Sequence, residues 1–384
     1  ETPWRLGAVG RLHLRADRRD PTWARLRKAE LEEAEFADPD HGGLLIDNDA
    51  RRELQAVTET FEPDELEGLE FTPSTRDATL AFLDKDPLLR TSVLARWNIG
   101  DLMGIVAPAE ENRTQAELAG NFELVGLINI IEARSLALLS RHEEADAAMA
   151  RAAANLPRLH PRSNAAFQYV GANSLIGYVR GDLPTYSAPE FLAELDANPE
   201  TRWVTFAVVS ANAYSAAATG AADQSLADVE RALVGIELAP ANAGNYGLIA
   251  CLCVHSLWVL GRTDHLDVIE ANIRSKLIAT GLQYPEVVNE LAVAQACALT
   301  DRVDEAREWV AEAHGRVARE GMAPLHVHIA SFEAQWELRL RADGDPDRCR
   351  AAIERARAGC DDPAMAPWLP RLDALERDAA TLWG

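Results

Sequence analysis

Aromatic residues are scarce in this sequence of 384 residues. Phenylalanine, tryptophan and tyrosine together account for 6% of the chain, although 48% of the residues are hydrophobic. The other hydrophobic residues are rich in alanine and leucine and are mixed with glutamate and arginine, a composition that closely packed helices use. The sequence therefore favours an all-α fold, and its length suits a chain built from stacking repeats.

Positive charge is also in short supply. The chain carries 61 acidic residues against 38 basic ones, which gives a formal net charge of -23. A field of this sign repels phosphate backbones and anionic lipid headgroups. We therefore expect neither nucleic acid nor a membrane as a direct partner.

Cysteines are few, and long apolar runs are missing. The odd number of thiols, in apolar helical segments, is typical of small core residues in a reducing compartment, which predicts a cytoplasmic protein; these are Cys251, Cys253, Cys297, Cys349 and Cys360. No run approaches the roughly 18 apolar residues of a membrane span, and the N-terminus lacks a signal-peptide layout. The sequence begins at Glu1 and not at methionine, as expected of a segment of a longer polypeptide.

Motifs that carry chemistry are missing as well. We find no GxxxxGK[ST] phosphate loop, no GxGxxG after a strand and no GxSxG elbow. His142-Glu143 resembles the start of a zinc-binding HExxH, but Asp146 stands where the second histidine belongs. His326 and His328 are two residues apart, which places them on opposite faces of a helix. We expect no cofactor, no metal and no enzyme activity.

A repeat of about 40 residues organises the chain. Tight helix-to-helix turns, which favour glycine because it adopts a positive φ, recur at positions 100, 140, 181, 221, 261, 301 and 344. These positions are 40, 41, 40, 40, 40 and 43 residues apart. The spacing predicts consecutive helical hairpins.

The second helix of each hairpin carries a stripe of small residues. Ala145, Met149 and Ala152 define it, with spacings typical of tetratricopeptide (TPR) repeats, in which small residues let two antiparallel helices approach closely. Equivalent stripes are Ala306, Val310, Ala313 and Cys349, Ile353, Ala356. Two units depart from the pattern and are predicted to pack differently, with Tyr186, Glu190, Ala193 and Leu266, Glu270, Ile273 at the same positions.

The predicted architecture is all-α, a right-handed α-α superhelix formed by a TPR-like solenoid of about nine hairpins. Residues 1–74 match the repeat only loosely and are predicted to form N-terminal hairpins continuous with the solenoid of residues 75–384. Because the period exceeds the 34 residues of a standard TPR, each helix should carry about one extra turn, or each loop a few more residues.

A concave groove is the predicted binding site. Three residues before the turns, large aromatics alternate with alanine, an arrangement that suits an extended peptide or a partner helix. Aromatic side chains packed between neighbouring repeats would give the same pattern. The candidate groove residues are Arg90, Trp97, Arg134, Gln168, Tyr178, Ser215, His255, Trp258, Gln295 and Arg341, with Cys251 beside them.

Segments such as LARWNIGDLMG, LSRHEEADAAMARA, SLWVLGRTDHLD and CALTDRVDEAREWV follow the repeat. They resemble the C-terminal helical-repeat region of bacterial signalling proteins in which the repeats follow a nucleotide-dependent switch domain. This group includes LuxR-type ATP-dependent regulators similar to the maltose activator, and class III nucleotidyl cyclases fused to an ATPase module. The resemblance covers roughly residues 75–384 and implies a sensor arm. It assigns no functional residue, because the switch motifs are absent.

These observations predict a non-enzymatic regulatory or interaction solenoid, the sensor or protein-binding segment of a multidomain bacterial signalling or transcription regulator. Its groove would bind a protein or peptide, an adjacent switch domain of the same polypeptide included. One alternative is a receptor whose superhelix closes on a small-molecule inducer. A second, disfavoured by the lack of paired catalytic residues, is an enzyme with a pocket inside the superhelix.

Overall fold

The structure is a computed structural model that describes residues 96–97, 100–118, 120–159, 163–184, 202–238, 246–279 and 281–384. All regular structure in these ranges is helical, which confirms the predicted all-α class. The predicted N-terminal hairpins of residues 1–74 lie outside the described residues, and so do Arg90 and the positions Tyr186, Glu190 and Ala193. No helix within the described ranges combines the length and the apolarity that crossing a bilayer requires.

The helices follow one another in antiparallel pairs. The first seven are α1 (Leu102–Val106), α2 (Ala109–Leu118), α3 (Phe122–Leu138), α4 (His142–Asn155), α5 (Asn164–Arg180), α6 (Arg202–Ala218) and α7 (Ala222–Leu238). The next seven are α8 (Tyr246–Leu260), α9 (Leu266–Asn272), α10 (Asn289–Leu299), α11 (Val303–Glu320), α12 (Ala323–Leu340), α13 (Pro346–Ala358) and α14 (Leu369–Trp383). A π-helix, Ile273–Ile278, continues α9, and a 3-10 helix, Pro363–Trp368, precedes α14.

One turn geometry closes the first helix of six units. The turn residue has a left-handed backbone, and the N–H of the following residue donates to the carbonyl five residues earlier, as from Asp101 to Arg96 at 2.9 Å. This is the Schellman motif, which satisfies carbonyls that the helix end leaves without partners. The left-handed residues are Gly100, Ser140, Gly181, Gly220, Gly261 and Asp301. The predicted turns are therefore confirmed at five positions and displaced by one residue, from 221 to Gly220, at the sixth.

The seventh predicted turn is wrong in its detail. Gly344 has an extended backbone with φ -78°, and the residue with a positive φ is Arg341, where a 3-10 helix of three residues begins. Glycine is needed at 344 for space, because a Cβ there would collide with the carbonyl oxygen of Glu337. Glycine at 344 is therefore required for the close approach of the backbone and not for a positive φ.

The small-residue stripes of the second helices are confirmed. Ala145, Met149 and Ala152 are 0%, 7% and 1% exposed, and the equivalent residues of α11 and α13 are buried as well. With the turn at Gly220, the same positions of α7 hold Ser225, Val229 and Ala232, which are also buried. Each stripe packs against the first helix of its own pair, most extensively α4 on α3, α7 on α6 and α13 on α12.

The stripe of α9 contains a charged residue that the fold must neutralise. Leu266, Glu270 and Ile273 are all buried, and the Glu270 carboxylate accepts hydrogen bonds from Arg274 and Arg302. A buried carboxylate requires such partners because desolvation is costly. The predicted difference in packing thus takes the form of an ionic contact between α9 and the start of α11.

The first helices form the interior. In α8 every residue from Tyr246 to Trp258 is buried, whereas the second helices keep an exposed face. The helix α12 lies beside the C-terminal ends of earlier first helices. His328 contacts Val179 in the last turn of α5, and Gln335 contacts Trp258 in the last turn of α8. Leu139, which follows α3, lies beside Gly321, just before α12. Late helices therefore pack back onto early ones.

Two turn glycines give a matched test of this closure. A Cβ at Gly220 meets nothing within 4 Å, whereas a Cβ at Gly181 would lie 2.6 Å from the Trp368 ring. Gly220→Ala should cost about 1–2 kcal/mol of unfolding free energy, from the left-handed φ alone. Gly181→Ala should cost clearly more, because the ring must also move. Urea denaturation measures both, and equal losses would contradict the contact.

Candidate functional site

The predicted groove residues lie mostly in the interior of the structure. Six of them are at most 5% exposed, namely Trp97, Arg134, Tyr178, His255, Trp258 and Gln295. Gln168 and Ser215 are half-buried, and Arg341 is exposed in its turn. The Ser215 hydroxyl donates to the carbonyl of Pro184, and Cys251 is buried beside Asn289. The six buried residues form two clusters and one aromatic contact with α12.

The first cluster, the Arg134 cluster, consists of Trp97, Arg134, Tyr284 and Glu286. Arg134 Nε donates to Glu286 Oε1 at 2.5 Å, and its Nη2 donates to the Tyr284 hydroxyl at 2.6 Å. The guanidinium lies 4.3 Å from the centroid of the Trp97 ring and 5.1 Å from that of Tyr284. The cluster joins α3 to the segment before α10, across 152 residues of sequence.

Electrostatics hold the Arg134 cluster in its charged form. Burial opposes the charge, but Glu286 and Tyr284 raise the pKa of Arg134 above its ordinary value. Burial raises the pKa of Tyr284 to about 12, so its hydroxyl stays protonated. Glu286 is 1% exposed, and its Oε2 has no hydrogen-bond partner among the described residues. The buried negative charge of Glu286 therefore depends on Arg134 for nearly all of its electrostatic compensation.

The second cluster, the imidazole cluster, consists of Tyr178, Tyr214, His255, Gln295 and His328. The His255 Nδ1 lies 2.5 Å from Gln295 Oε1, so this nitrogen carries the proton and donates it. Ring centroids are 6.0 Å apart for both Tyr178–Tyr214 and Tyr214–His255, and 4.6 Å apart for Tyr178–His328. The cluster thus connects α5, α6, α8, α10 and α12 in one contiguous chain of contacts.

Burial keeps both imidazoles neutral. It lowers the pKa of His255 to about 4 and that of His328 to about 3. His328 Nε2 donates to the carbonyl oxygen of Val179 at 3.3 Å, which fixes the ring against the end of α5. Side chains held neutral and away from water suit a packed interior better than proton exchange with a substrate.

The third feature is the contact of Trp258 with α12. The indole stacks edge-on against Phe332 at 4.8 Å, and its Nε1 donates to Gln335 Oε1 at 3.0 Å. The Arg339 guanidinium lies 3.8 Å from the Trp258 ring centroid. Tyr178 meets the same helix through His328. Two of the three predicted aromatic positions are therefore covered by α12. The third, Trp97, is covered by Arg134 and Tyr284.

One further group could coordinate a metal by distance alone. Ligand atoms of Glu270, Cys297 and Glu305 lie within 4.8 Å of one another. Arg274 and Arg302, however, already donate to both carboxylates, and burial raises the pKa of the Cys297 thiol to about 12. Two arginines and a protonated thiol disfavour a cation, so this group is an ionic network between α9 and α11.

Sequence reasoning missed the partners that cover the predicted residues. Tyr284 and Glu286 lie in GLQYPEVV, where an acidic residue inside an apolar stretch was the available signal of a buried ion pair. The sequence places His328 on the helix face opposite His326 but does not reveal what it contacts. Its actual partners, Val179 and Tyr178, are about 150 residues away in sequence, so periodicity alone gives no sign of them.

No protein-family model matches the chain, and no curated protein or solved structure matches it at a significant level.

The Arg134 cluster predicts a strong coupling between its two charges. Arg134→Met alone should cost about 3–5 kcal/mol of unfolding free energy, because Glu286 is left buried and unpaired. Arg134→Met combined with Glu286→Gln should cost less than Arg134→Met alone. A double-mutant cycle by urea denaturation measures the coupling. Additive losses would show that the two side chains are not paired, and Arg141→Ala, at an exposed ion pair, serves as the control.

The imidazole cluster predicts a pH dependence of stability. The folded pKa values of His255 and His328 lie below the ordinary value of about 6.5, so the unfolded chain binds more protons below that pH. The contribution of these two neutral histidines to the free energy of unfolding is fully present above about pH 6.5 and decreases as the pH falls toward 4. His328→Asn should reduce the slope of unfolding free energy against pH by at most about 1.4 kcal/mol per unit. An unchanged slope in His328→Asn would count against the assignment.

Proposed function

We propose that the chain is a non-enzymatic interaction module, a TPR-like solenoid with a right-handed superhelical twist that binds a protein or peptide. In this proposal it is the cytoplasmic sensor or protein-binding segment of a multidomain bacterial signalling or transcription regulator. The repeated turn geometry at six positions supports the solenoid, because stacked hairpins that share one turn geometry accumulate curvature in one direction. The sequence resemblance supports the regulatory context.

The observation that carries the proposal is the position of α12 against the interior surface of the repeats. This helix lies against Tyr178 and Trp258, two aromatic positions predicted for the groove, and it contacts them by ring stacking and a hydrogen bond. Helix-in-groove binding uses the same interactions between proteins. The interior surface of the repeats can therefore receive a helix, and here the chain supplies its own.

A partner would need to replace only part of these contacts. Phe332 and Trp336 are 2% and 4% exposed, and exposing each would cost about 1.5–3 kcal/mol. The free-energy cost of displacing all of α12 would therefore approach the whole stability of an ordinary domain. Gln335 is half-buried and Arg339 is exposed. We define these two residues as the α12 latch, and we propose that a partner takes over their contacts with Trp258.

The chemistry of the latch describes the partner. Gln335 accepts the hydrogen bond of the Trp258 indole, and Arg339 lies over the ring and donates to the Val259 carbonyl at 3.3 Å. A competing segment would present a hydrogen-bond acceptor and a cationic side chain one helical turn apart. An amphipathic helix with glutamine or glutamate four residues before arginine or lysine fits this description.

The latch gives the proposal a direct test. A partner retained from a bacterial lysate by the wild-type chain would be identified, and its binding segment titrated calorimetrically. Gln335→Ala combined with Arg339→Ala should bind that segment roughly tenfold more tightly, because one hydrogen bond and one cation–π contact no longer compete. Circular dichroism confirms that the variant is folded.

Arg350→Ala is the matched control. Arg350 is an exposed arginine on α13 whose described ion pair is with Asp347, so its loss should leave partner affinity unchanged. Equal affinities for the wild type and the latch variant would contradict competition with α12. Retention of no protein, together with a rise in melting temperature in a small-molecule extract, would favour the inducer-receptor alternative over the interaction module.

A further inference from the structure

A pair of histidines meets across the turn between α11 and α12. His314 belongs to α11 and His326 to α12, and their Nδ1 atoms are 3.0 Å apart. The two rings are nearly parallel, with an interplanar angle of 17° and centroids 5.3 Å apart. The His314 side chain is 25% exposed, so water and ions reach the pair. Neither residue belongs to the interior clusters described above.

The hydrogen-bond partners of the pair fix where its protons lie. Glu333 Oε2 is 2.9 Å from His314 Nε2 and also accepts from Arg355 Nη2 at 2.8 Å. The Arg355 side chain is always charged, and its ion pair with Glu333 holds this carboxylate in the ionised form. An ionised carboxylate can only accept, so His314 Nε2 carries the proton. In neutral His314 the lone pair of Nδ1 therefore faces His326.

The facing nitrogen of His326 completes the pair. Because His314 Nδ1 carries a lone pair, the hydrogen bond between the two rings requires a proton on His326 Nδ1. When that proton moves through water to Nε2 of His326, both rings stay neutral and both Nδ1 atoms offer a lone pair.

We propose that His314 and His326 bind one divalent transition-metal ion, such as Zn²⁺, through their Nδ1 atoms, with the proton of His326 on its Nε2. Imidazole nitrogens bind such ions at about 2.0–2.1 Å. Two of them around a tetrahedral centre lie about 3.4 Å apart, so binding requires the observed 3.0 Å to widen slightly and both rings to turn until their lone pairs converge on the ion. Water completes the coordination on the exposed side.

Glu333 is the positioning residue of this site. A metal-bound histidine usually donates its other ring N–H to a carboxylate, which fixes the tautomer and the ring orientation. The contact between Glu333 and His314 Nε2 has this geometry. Arg355 adds a positive charge nearby, but it pairs with Glu333 and not with either Nδ1 atom. The group of Glu270, Cys297 and Glu305 differs, because its arginines bind the candidate ligand atoms themselves.

The site does not depend on the proposed interaction function. It joins the second helix of one hairpin to α12, so a bound ion would fasten α12 to α11 at the end opposite the latch. Metal binding should therefore raise the melting temperature of the chain, as any ligand specific for the folded state does.

Calorimetric titration with Zn²⁺ alone tests the proposal. The wild-type chain should bind one more ion than His314→Gln and His326→Asn, and its zinc-dependent rise in melting temperature should be lost in both variants. Glu333→Gln should keep the stoichiometry and weaken binding at this site by about 10–100-fold. Circular dichroism establishes that each variant is folded.

His265→Asn provides the matched control, because His265 is an exposed histidine with a left-handed backbone that asparagine also adopts. Its isotherm should equal that of the wild type. Wild-type stoichiometry in both His314→Gln and His326→Asn would overturn the metal site. Undiminished affinity in Glu333→Gln would overturn the positioning role of the carboxylate.

Discussion

The left-handed residue that ends the first helix of six units is the constraint on which the rest of the fold depends. It reverses the chain within two residues, so the second helix must run back along the first. The same motif places the residue three positions before it in the last turn of the first helix. At Gly100, Gly181 and Gly261 that residue is Trp97, Tyr178 or Trp258, each 3% exposed. One backbone geometry thereby sets both the pairing of helices and the positions of the large interior side chains.

Buried polar groups give this interior its specificity. Alanine stripes allow close helix approach but distinguish poorly between one neighbour and another. The Arg134 cluster and the hydrogen bond of His255 to Gln295 tolerate few alternatives, since each group loses its partner if the helices shift. Several aromatic residues in the described part of the chain, among them Trp97, Tyr178 and Trp258, lie where early and late helices meet.

The sequence was sufficient for features that depend on local geometry. Turn positions were predictable because a left-handed φ restricts residue type, and the stripes Ala145, Met149 and Ala152 followed from helical periodicity. The placement of His326 and His328 on different faces was also correct, since one contacts His314 and the other Val179. Arg341 was misplaced because the role of Gly344 depends on Glu337, a tertiary neighbour. The covering of Trp258 by α12 depends on the accumulated curvature of the chain, which no single repeat encodes.

The long separation of the closing contacts has a kinetic consequence. Hairpins form from residues a few tens of positions apart, whereas Arg134 and Glu286 are separated by 152 residues. Loop-closure entropy must be overcome before such distant contacts contribute, so they form late along the folding path. The structure thus implies two stages of folding, in which local helix pairing precedes the contacts between early and late helices.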